Sequence, residues 1–269
     1  MHHIGRAIQH PPTELPVLEW WARDYDHVFA VYNPFFTVPG HHPDTTHYGP
    51  ARINVASAEE LSALAEAPPI PENPAPEEFP DLIKQSGSPL RWEAVRQAIG
   101  AGDRALFDRT VWLWALNIER DDTDDEMRAA LTRYCTAHGI YPPEEDCLPA
   151  ILEPMLGDYL EALGIDEVML WDEYRENALP APREALERDE VAVWLDGATG
   201  NSVRAVSAPG FLISWAFDDV HGVLALTDDL YRRCAPNRFL ECRAYGVGGY
   251  VDVFNPTEFL DRLPRTGTH

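Results

Sequence analysis

Four side chains that could bind a metal ion lie close together in the N-terminal part of the chain. His41, His42, Asp44 and His47 fall within the eighteen-residue connection 33–50. Neutral imidazoles and a carboxylate form a ligand set that suits zinc, iron or manganese. However, adjacent residues on an extended chain point to opposite sides, so His41 and His42 would not easily share one ion. A metal-dependent hydrolase using this loop is one hypothesis, and a solvated polar turn is its structural alternative.

A second polar group lies between two predicted strands of the C-terminal part. Asp218, Asp219 and His221 occupy this connection, and Asp228 and Asp229 open the next predicted helix. Carboxylates and an imidazole at one end of a sheet could carry acid–base chemistry, or could complete the metal site above. The same positions are also those where turns and helix starts favour Asp. If the sequence encodes acid–base catalysis, Asp218, Asp219 and His221 are the candidate catalytic residues.

An acidic run precedes one predicted helix. Its order lacks the glycine and the bidentate glutamate of a calcium loop. Acids at the first turn instead complement the positive end of the helix dipole, which is the structural interpretation. Contact with a basic partner is the alternative, in which Asp121 and Asp122 take part. The run consists of Asp121, Asp122, Asp124, Asp125 and Glu126.

Two adjacent tryptophans are further candidates for partner contact. Trp20 and Trp21 lie side by side on a predicted helix, so both cannot face the protein interior. A tryptophan left at the surface offers an amphipathic contact area. We therefore expect one of the two to be a contact residue.

The charge balance excludes several classes of function. The chain has 45 Asp and Glu against 21 Lys and Arg, a formal net charge of −24. Binding nucleic acid requires clustered basic residues, and every window with an Arg pair also contains acids. We therefore expect neither a nucleic acid nor an anionic membrane as a partner.

Sequence motifs exclude further classes of enzyme. Lys84 is the single lysine and no glycine loop precedes it, which excludes a Walker A site. Serine hydrolase, zincin, Rossmann and kinase signatures are also missing from the sequence. Apart from the metal hypothesis, in which zinc or another divalent transition metal would bind, no cofactor is predicted.

The cysteines and the N-terminus indicate a cellular compartment. Cys135, Cys147, Cys234 and Cys242 form no CxxC pair, and no apolar stretch of signal-peptide or transmembrane length is present. We therefore expect a protein of a reducing cytoplasm with free thiols. The excess of arginine over lysine favours a bacterial source.

Helical periodicity dominates the first part of the chain. Two Ser/Thr-x-x-Glu capping boxes, Ser-Pro before RWEAVRQAI, and an Asp before RALFDRTVWLWALNIER mark helix starts. A proline at the start of residues 149–163 and a glycine just after them mark the two ends of a further helix. HVFAVY and ARINVA are predicted as two strands joined by the long loop. The predicted helix starts are Ser57, Ser88, Asp103, Thr123 and Pro149, and the two predicted strands are 27–32 and 51–56.

After residue 165 the period changes from 3.6 to 2, with short connections that favour antiparallel pairing. Two short helices should accompany these strands, one after Thr227 and one after Asn255. The fold class is therefore α+β: a helix-rich N-terminal part followed by a mainly antiparallel β-sheet. The predicted strands are 168–171, 191–195, 202–207, 211–217, 222–227, 239–245 and 250–254.

The domain division rests on a proline-rich segment. Residues 67–80 contain six prolines and should be extended and exposed, as a rigid connector, a hinge or a ligand segment. An N-terminal unit, a helical region and a sheet region surround it, and the last two should form one domain unless the whole chain does. The predicted ranges are 1–66, 67–80, 81–165 and 166–269.

These observations favour a bacterial protein with a binding or regulatory role. A charge of −24, spread over both parts of the chain, gives a negative field that speeds the capture of cationic surfaces. The leading hypothesis is a non-enzymatic protein that binds a basic protein partner, in the manner of an immunity or inhibitor protein. High net charge also favours solubility alone. The metal-dependent hydrolase is the second hypothesis.

Overall fold

The predicted α+β class is confirmed. A computed structural model describes residues 5–49, 73–118, 120, 123–192 and 202–255. None of the helices within these ranges is long and apolar enough to cross a membrane. The α-helices are α1 (Val17–Trp20), α2 (Phe79–Ser86), α3 (Trp92–Ala98), α4 (Arg104–Ala115), α5 (Asp125–His138), α6 (Glu153–Leu163) and α7 (Asp228–Arg233). The strands are β1 (His27–Tyr32), β2 (Phe35–Thr37), β3 (Ser88–Leu90), β4 (Glu167–Trp171), β5 (Ala178–Pro182), β6 (Ala205–Ala208), β7 (Phe211–Trp215), β8 (His221–Leu226) and β9 (Cys242–Ala244).

Seven of these strands form one antiparallel sheet in the order β5-β4-β6-β7-β8-β1-β9. β1 lies between β8 and β9, with His27 opposite Leu226 and Tyr32 opposite His221. The N-terminal strand predicted over 27–32 thus belongs to the same sheet as the C-terminal strands. Its predicted companion, 51–56, lies outside the described residues, and the domain boundaries remain predictions.

The two faces of the sheet are covered by different elements. Along β7, Ile213 packs with α6, and its neighbour Leu212 faces the opposite core with Val17 of α1. This alternation follows from the two-residue period of a strand. Ser214 lies two residues from Leu212, and His221 lies two residues from Val223, so both fall on the face of the sheet that α1 covers. Both faces of the central strands are therefore buried.

Three helix ends match the predicted signals, and one predicted cap is wrong by one residue. The carboxylate of Asp103 accepts from the amide of Leu106, so it caps α4 as predicted. The cap of α5 is Asp124, whose Oδ1 accepts from the amide of Met127 at 2.9 Å, and the prediction of Thr123 was wrong by one residue. A carboxylate at this position also favours the positive helix end. Gly139 and Gly164 end α5 and α6 in the left-handed conformation, as predicted.

Several strand and helix predictions need correction. Ser88–Leu90 is a short strand that pairs with β2, and its helix begins only at Trp92. Residues 250–254 form no strand, although their sequence alternates like one: Val251 packs with residues of the sheet, whereas Phe254 stacks on Trp112 of α4. The predicted connector ends inside α2, where Phe79 is buried. Most of 191–195, the helix after Ser57 and the helix after Asn255 lie outside the described residues.

The edge strand β5 contains two prolines. Its partner is β4, and the amide of Arg183 donates to the carbonyl of Asp166 at 2.8 Å just beyond the pair. Amides alternate in direction along an antiparallel strand. Pro180 and Pro182 therefore occupy positions whose amides would point away from β4, where no hydrogen bond of the sheet is lost.

Asn33 follows β1 directly and is fully buried. Its amide donates to the carbonyl of Val220, and its own carbonyl accepts from the indole of Trp92. Its side chain accepts from the indole of Trp215 at 3.0 Å and donates to the carbonyl of Glu144 at 2.7 Å. Asn33 thus joins the end of β1 to the β7–β8 connection, to α3 and to the segment that contains Glu144.

The single lysine is buried in an ion pair. Lys84 Nζ lies 2.6 Å from Glu153 Oε2 and also donates to the carbonyls of Ala185 and Glu190. Glu153 in turn accepts from the amide of Ala192. Lys84 therefore fastens α2 to α6 and to the segment that follows residue 182.

Lys84→Met should destabilise the fold strongly, because it leaves the carboxylate of Glu153 buried without its cation. We expect the free energy of unfolding to fall by about 3–5 kcal/mol, measured by urea denaturation. The double variant Lys84→Met/Glu153→Met buries no charge and should recover most of the loss. A double variant that is less stable than the single one would contradict this account.

Candidate functional site

Two of the three predicted catalytic residues are in direct contact. His221 begins β8, and its Nδ1 donates to Oδ1 of Asp219 at 2.5 Å. The turn before them passes through Asp218 with φ +56°, which reverses the chain so that Asp219 and His221 meet. His221 is 1% exposed, whereas the side chain of Asp219 is 14% exposed, so the imidazole is the buried member of the pair.

Asp218 does not join this pair. Its side chain is exposed, and its amide donates to Oδ1 of Asp146 at 2.5 Å. Its carbonyl accepts from the indole of Trp112. Asp218 therefore shapes the turn, while Asp219 provides the carboxylate.

Tyr245, just beyond β9, completes a chain of three polar groups. Its hydroxyl lies 3.3 Å from Nε2 of His221 and 3.1 Å from the carbonyl of Val251. One hydroxyl hydrogen thus has two acceptors within reach. With Nδ1 of His221 donating to Asp219, Nε2 is the ring nitrogen that can accept from Tyr245.

Burial controls the charges in this chain. Burial raises the pKa of Asp219, and the adjacent His221 opposes that rise. Burial, followed by the charge of Asp219, raises the pKa of Tyr245 well above its ordinary value. The hydroxyl of Tyr245 is therefore protonated at neutral pH and available for hydrogen bonding.

Tyr245 also lines a cavity of about 510 Å³ between the β1–β9 edge of the sheet and α4. Ala30 and Ala244 lie on the strand side, and Leu106 lies on the helix side. Phe254 forms part of the wall and meets the ring of His221 edge to face at 5.2 Å. The polar lining side chains are Arg109, Arg243, Tyr245, Tyr250, Asp252 and Asn255.

His10 and Ser214 form a second hydrogen-bonded pair that includes a histidine, on the same face of the sheet as His221. Nδ1 of His10 lies 2.9 Å from Oγ of Ser214, a distance typical of a nucleophile and its base. However, Ser214 is 0% exposed and neither residue lines the cavity. Burial, with the nearby charge of Arg175, lowers the pKa of His10 to about 3, so the ring is neutral. This pair holds the N-terminal segment against the sheet.

The predicted metal loop lies elsewhere. Nε2 of His42 donates to the carbonyl of Thr136, and its Nδ1 accepts from the amide of Asp44. Nδ1 of His41 lies 3.3 Å from the hydroxyl of Thr46, and Nε2 of His47 is buried without a partner. Within the described ranges no three His, Cys, Asp or Glu side chains are placed to hold a metal ion. The metal hypothesis therefore remains a prediction from the sequence.

The predicted partner contacts fall in different environments. Trp21 is fully buried and packs edge to face against Tyr25. Trp20 is partly buried, and the guanidinium of Arg6 lies 5.9 Å from the centre of its ring. Asp121 and Asp122 lie outside the described residues.

A model of one protein family matches residues 13–192, two thirds of the chain. The chain belongs to the family described as "Protein of unknown function (DUF2711)". No curated protein and no solved structure matches it. Arg109 lies within the matched range, whereas Asp219, His221, Arg243 and Tyr245 lie beyond it.

The sequence interpretation missed Arg243 and Tyr245. They belong to the predicted strand 239–245, where two residues that are two positions apart share one face. An Arg-x-Tyr pair followed by a glycine-rich turn was the available signal. Without knowing that β1 separates β8 from β9, the pair could not be placed beside His221.

A smaller cavity of about 250 Å³ lies beside the segment that contains Glu144. Tyr48, Glu144, Glu145 and Cys147 line it, and the hydroxyl of Tyr48 donates to Glu144 at 2.8 Å. Burial raises the pKa of each glutamate to about 7 and that of the Cys147 thiol to about 12. The thiol is therefore protonated at neutral pH, which argues against a nucleophile here.

These glutamates should make stability depend on pH. Because the pKa of Glu144 is raised from 4.5 to about 7 on folding, the folded chain binds more protons than the unfolded chain within that interval. The free energy of unfolding should therefore fall as pH rises from about 4.5 to about 7. Glu144→Gln should make the fall shallower in urea denaturation, whereas the exposed Glu126→Gln should not. Equal slopes in the two variants would contradict the assignment.

Proposed function

We propose that the protein is an enzyme that carries out acid–base chemistry on a small molecule in the cavity between α4 and β9. The observation that carries this proposal is the chain Asp219–His221–Tyr245, which leads from the carboxylate of Asp219 to Tyr245, a residue of the cavity wall. Buried Asp–His pairs orient an imidazole for proton transfer in many enzymes. Cavities of this size commonly hold small ligands.

The proton transfer follows from the hydrogen bonds. A substrate proton passes to the oxygen of Tyr245 while the hydroxyl hydrogen of Tyr245 passes to Nε2 of His221. The imidazolium that results keeps its Nδ1–H on Asp219, whose negative charge stabilises it. The reverse transfer returns the proton to the product. Tyr245 thus touches the substrate, and His221 and Asp219 act through it.

Tyr245→Phe should abolish conversion, because it removes the hydroxyl that connects the cavity wall to His221. The protein is incubated with an extract of small cellular metabolites, and the mixture is analysed by mass spectrometry. No substrate then has to be chosen in advance. We expect compounds consumed by the wild type to be converted at least about 100-fold more slowly by Tyr245→Phe and His221→Gln.

Tyr174→Phe provides the matched control, since Tyr174 is 72% exposed and lies outside the cavity lining. It should convert the same compounds at the wild-type rate, and circular dichroism should show that all variants are folded. No conversion by the wild type, or equal conversion by Tyr245→Phe, would refute the proposal.

A second candidate function is the binding of a basic protein partner, as in an immunity or inhibitor protein of a bacterial cytoplasm. The net charge of −24 supports it, as do the exposed Asp125 and Glu126 at the start of α5. The four cysteines are free, which suits a reducing compartment. This role would be non-enzymatic.

Salt dependence tests this second candidate. A basic partner retained from native lysate at low ionic strength should be released at about 0.5 M salt, where screening shortens the range of surface charges. Asp125→Asn/Glu126→Gln should weaken its retention in the same assay. Retention that is insensitive both to salt and to the double variant would exclude an electrostatic partner.

A further inference from the structure

The structure points to the chemical class of the ligand: we infer that the cavity binds an organic monocarboxylate with an apolar body, and that Arg243 receives its carboxylate. This inference rests on the proposed function, because it concerns the same cavity. It adds the substrate class, which the Asp219–His221–Tyr245 chain does not specify. The charged groups of the lining differ in whether they already have partners.

Arg243 is the cation available to a ligand. It lies on β9 opposite Ala30, whose small side chain leaves space above the sheet. Its side chain is exposed, and it forms no hydrogen bond or ion pair with any residue that the structure describes. A guanidinium presents a planar fork of donors that matches a carboxylate.

The other charged lining residues are already engaged. Arg109 donates to the carbonyl of Phe254 and to the side chain of Asn255. Asp252 accepts from the amides of Phe254 and Asn255 and from the side-chain amide of Asn255. The two arginines and one aspartate of the lining sum to a formal charge of +1, while the carboxylates of Asp108 and Asp219 act on Arg243 and Tyr245 from behind the lining.

The walls of the cavity determine the rest of the ligand. Ala30, Leu106 and Phe254 offer apolar surface, and the rings of Tyr245 and Tyr250 extend it. Burying an apolar group against such surface gives about 25 cal/mol per Å². A dianion such as phosphate would leave this surface unused and would meet stronger repulsion from a chain with a net charge of −24.

The spacing between Arg243 on β9 and Tyr245 just beyond it would place the ligand for reaction. Arg243 and Tyr245 are two residues apart on one face, about 7 Å between Cα atoms in a strand. A carboxylate held by Arg243 therefore brings the adjoining part of the ligand next to the hydroxyl of Tyr245. The substrate proton would then come from a group near the carboxylate, not from its distant end.

Calorimetric titration with benzoate tests the inference, with benzamide as its neutral isostere and inorganic phosphate as a compact anion. The wild type should bind benzoate at least about 10-fold more tightly than either. Arg243→Gln should weaken benzoate binding at least about 10-fold, since the charge-assisted contact is lost. Arg188→Gln, another exposed arginine outside the lining, should bind benzoate like the wild type.

The variants separate the two proposals. Tyr245→Phe should keep benzoate binding within about 3-fold while losing conversion, because the carboxylate contact does not involve its hydroxyl. Benzoate binding that depends on Arg243, without conversion of any metabolite, would refute the catalytic proposal alone. No benzoate binding, equal binding of benzamide, tighter binding of phosphate, or an unaffected Arg243→Gln variant would refute the inference, whatever the outcome for catalysis.

Discussion

The hydrogen bonds of Asn33 hold together the parts of the molecule that form the candidate site. The amide of Asn33 fixes Val220, the neighbour of Asp219, and its side chain fixes Trp215 at the end of β7. The β7–β8 connection is thereby held at both ends, and Asp219 meets His221. The carbonyl of Asn33 also accepts from Trp92, which connects the helical region to the sheet. Each of these polar groups would be costly to bury without its partner.

Local chemistry in the sequence accounts for much of the fold. The change of hydrophobic period near residue 165, the cap Asp103 and the terminating glycines Gly139 and Gly164 depend only on neighbouring residues, and these predictions are confirmed. The position of β1 depends on pairing with β8 and β9, which lie from 189 to 215 residues further along the chain, and no local pattern encodes such pairing. Residues 250–254 alternate in sequence like a strand but form no ladder, because Val251 packs with the sheet and Phe254 packs against Trp112 of α4.

The candidate site could be predicted only in part for the same reason. Asp219 and His221 are close in sequence, so their contact follows from one tight turn. Tyr245 reaches His221 only because β1 places β9 one strand away from β8, a relation between distant segments. In the 33–50 loop, the imidazole of His42 is taken up by a backbone carbonyl and a backbone amide. Residue type suggested ligands there, but side-chain partners are set by the tertiary structure.

The two prolines of β5 have a consequence for how the molecule meets other chains. An unprotected outer strand is a template onto which a second polypeptide can add, and uncontrolled addition leads to aggregation. At Pro180 and Pro182 the outer rim lacks the donors that such an added strand needs. The prolines therefore act as a stop at this end of the sheet, which keeps a long antiparallel sheet from growing into an intermolecular one.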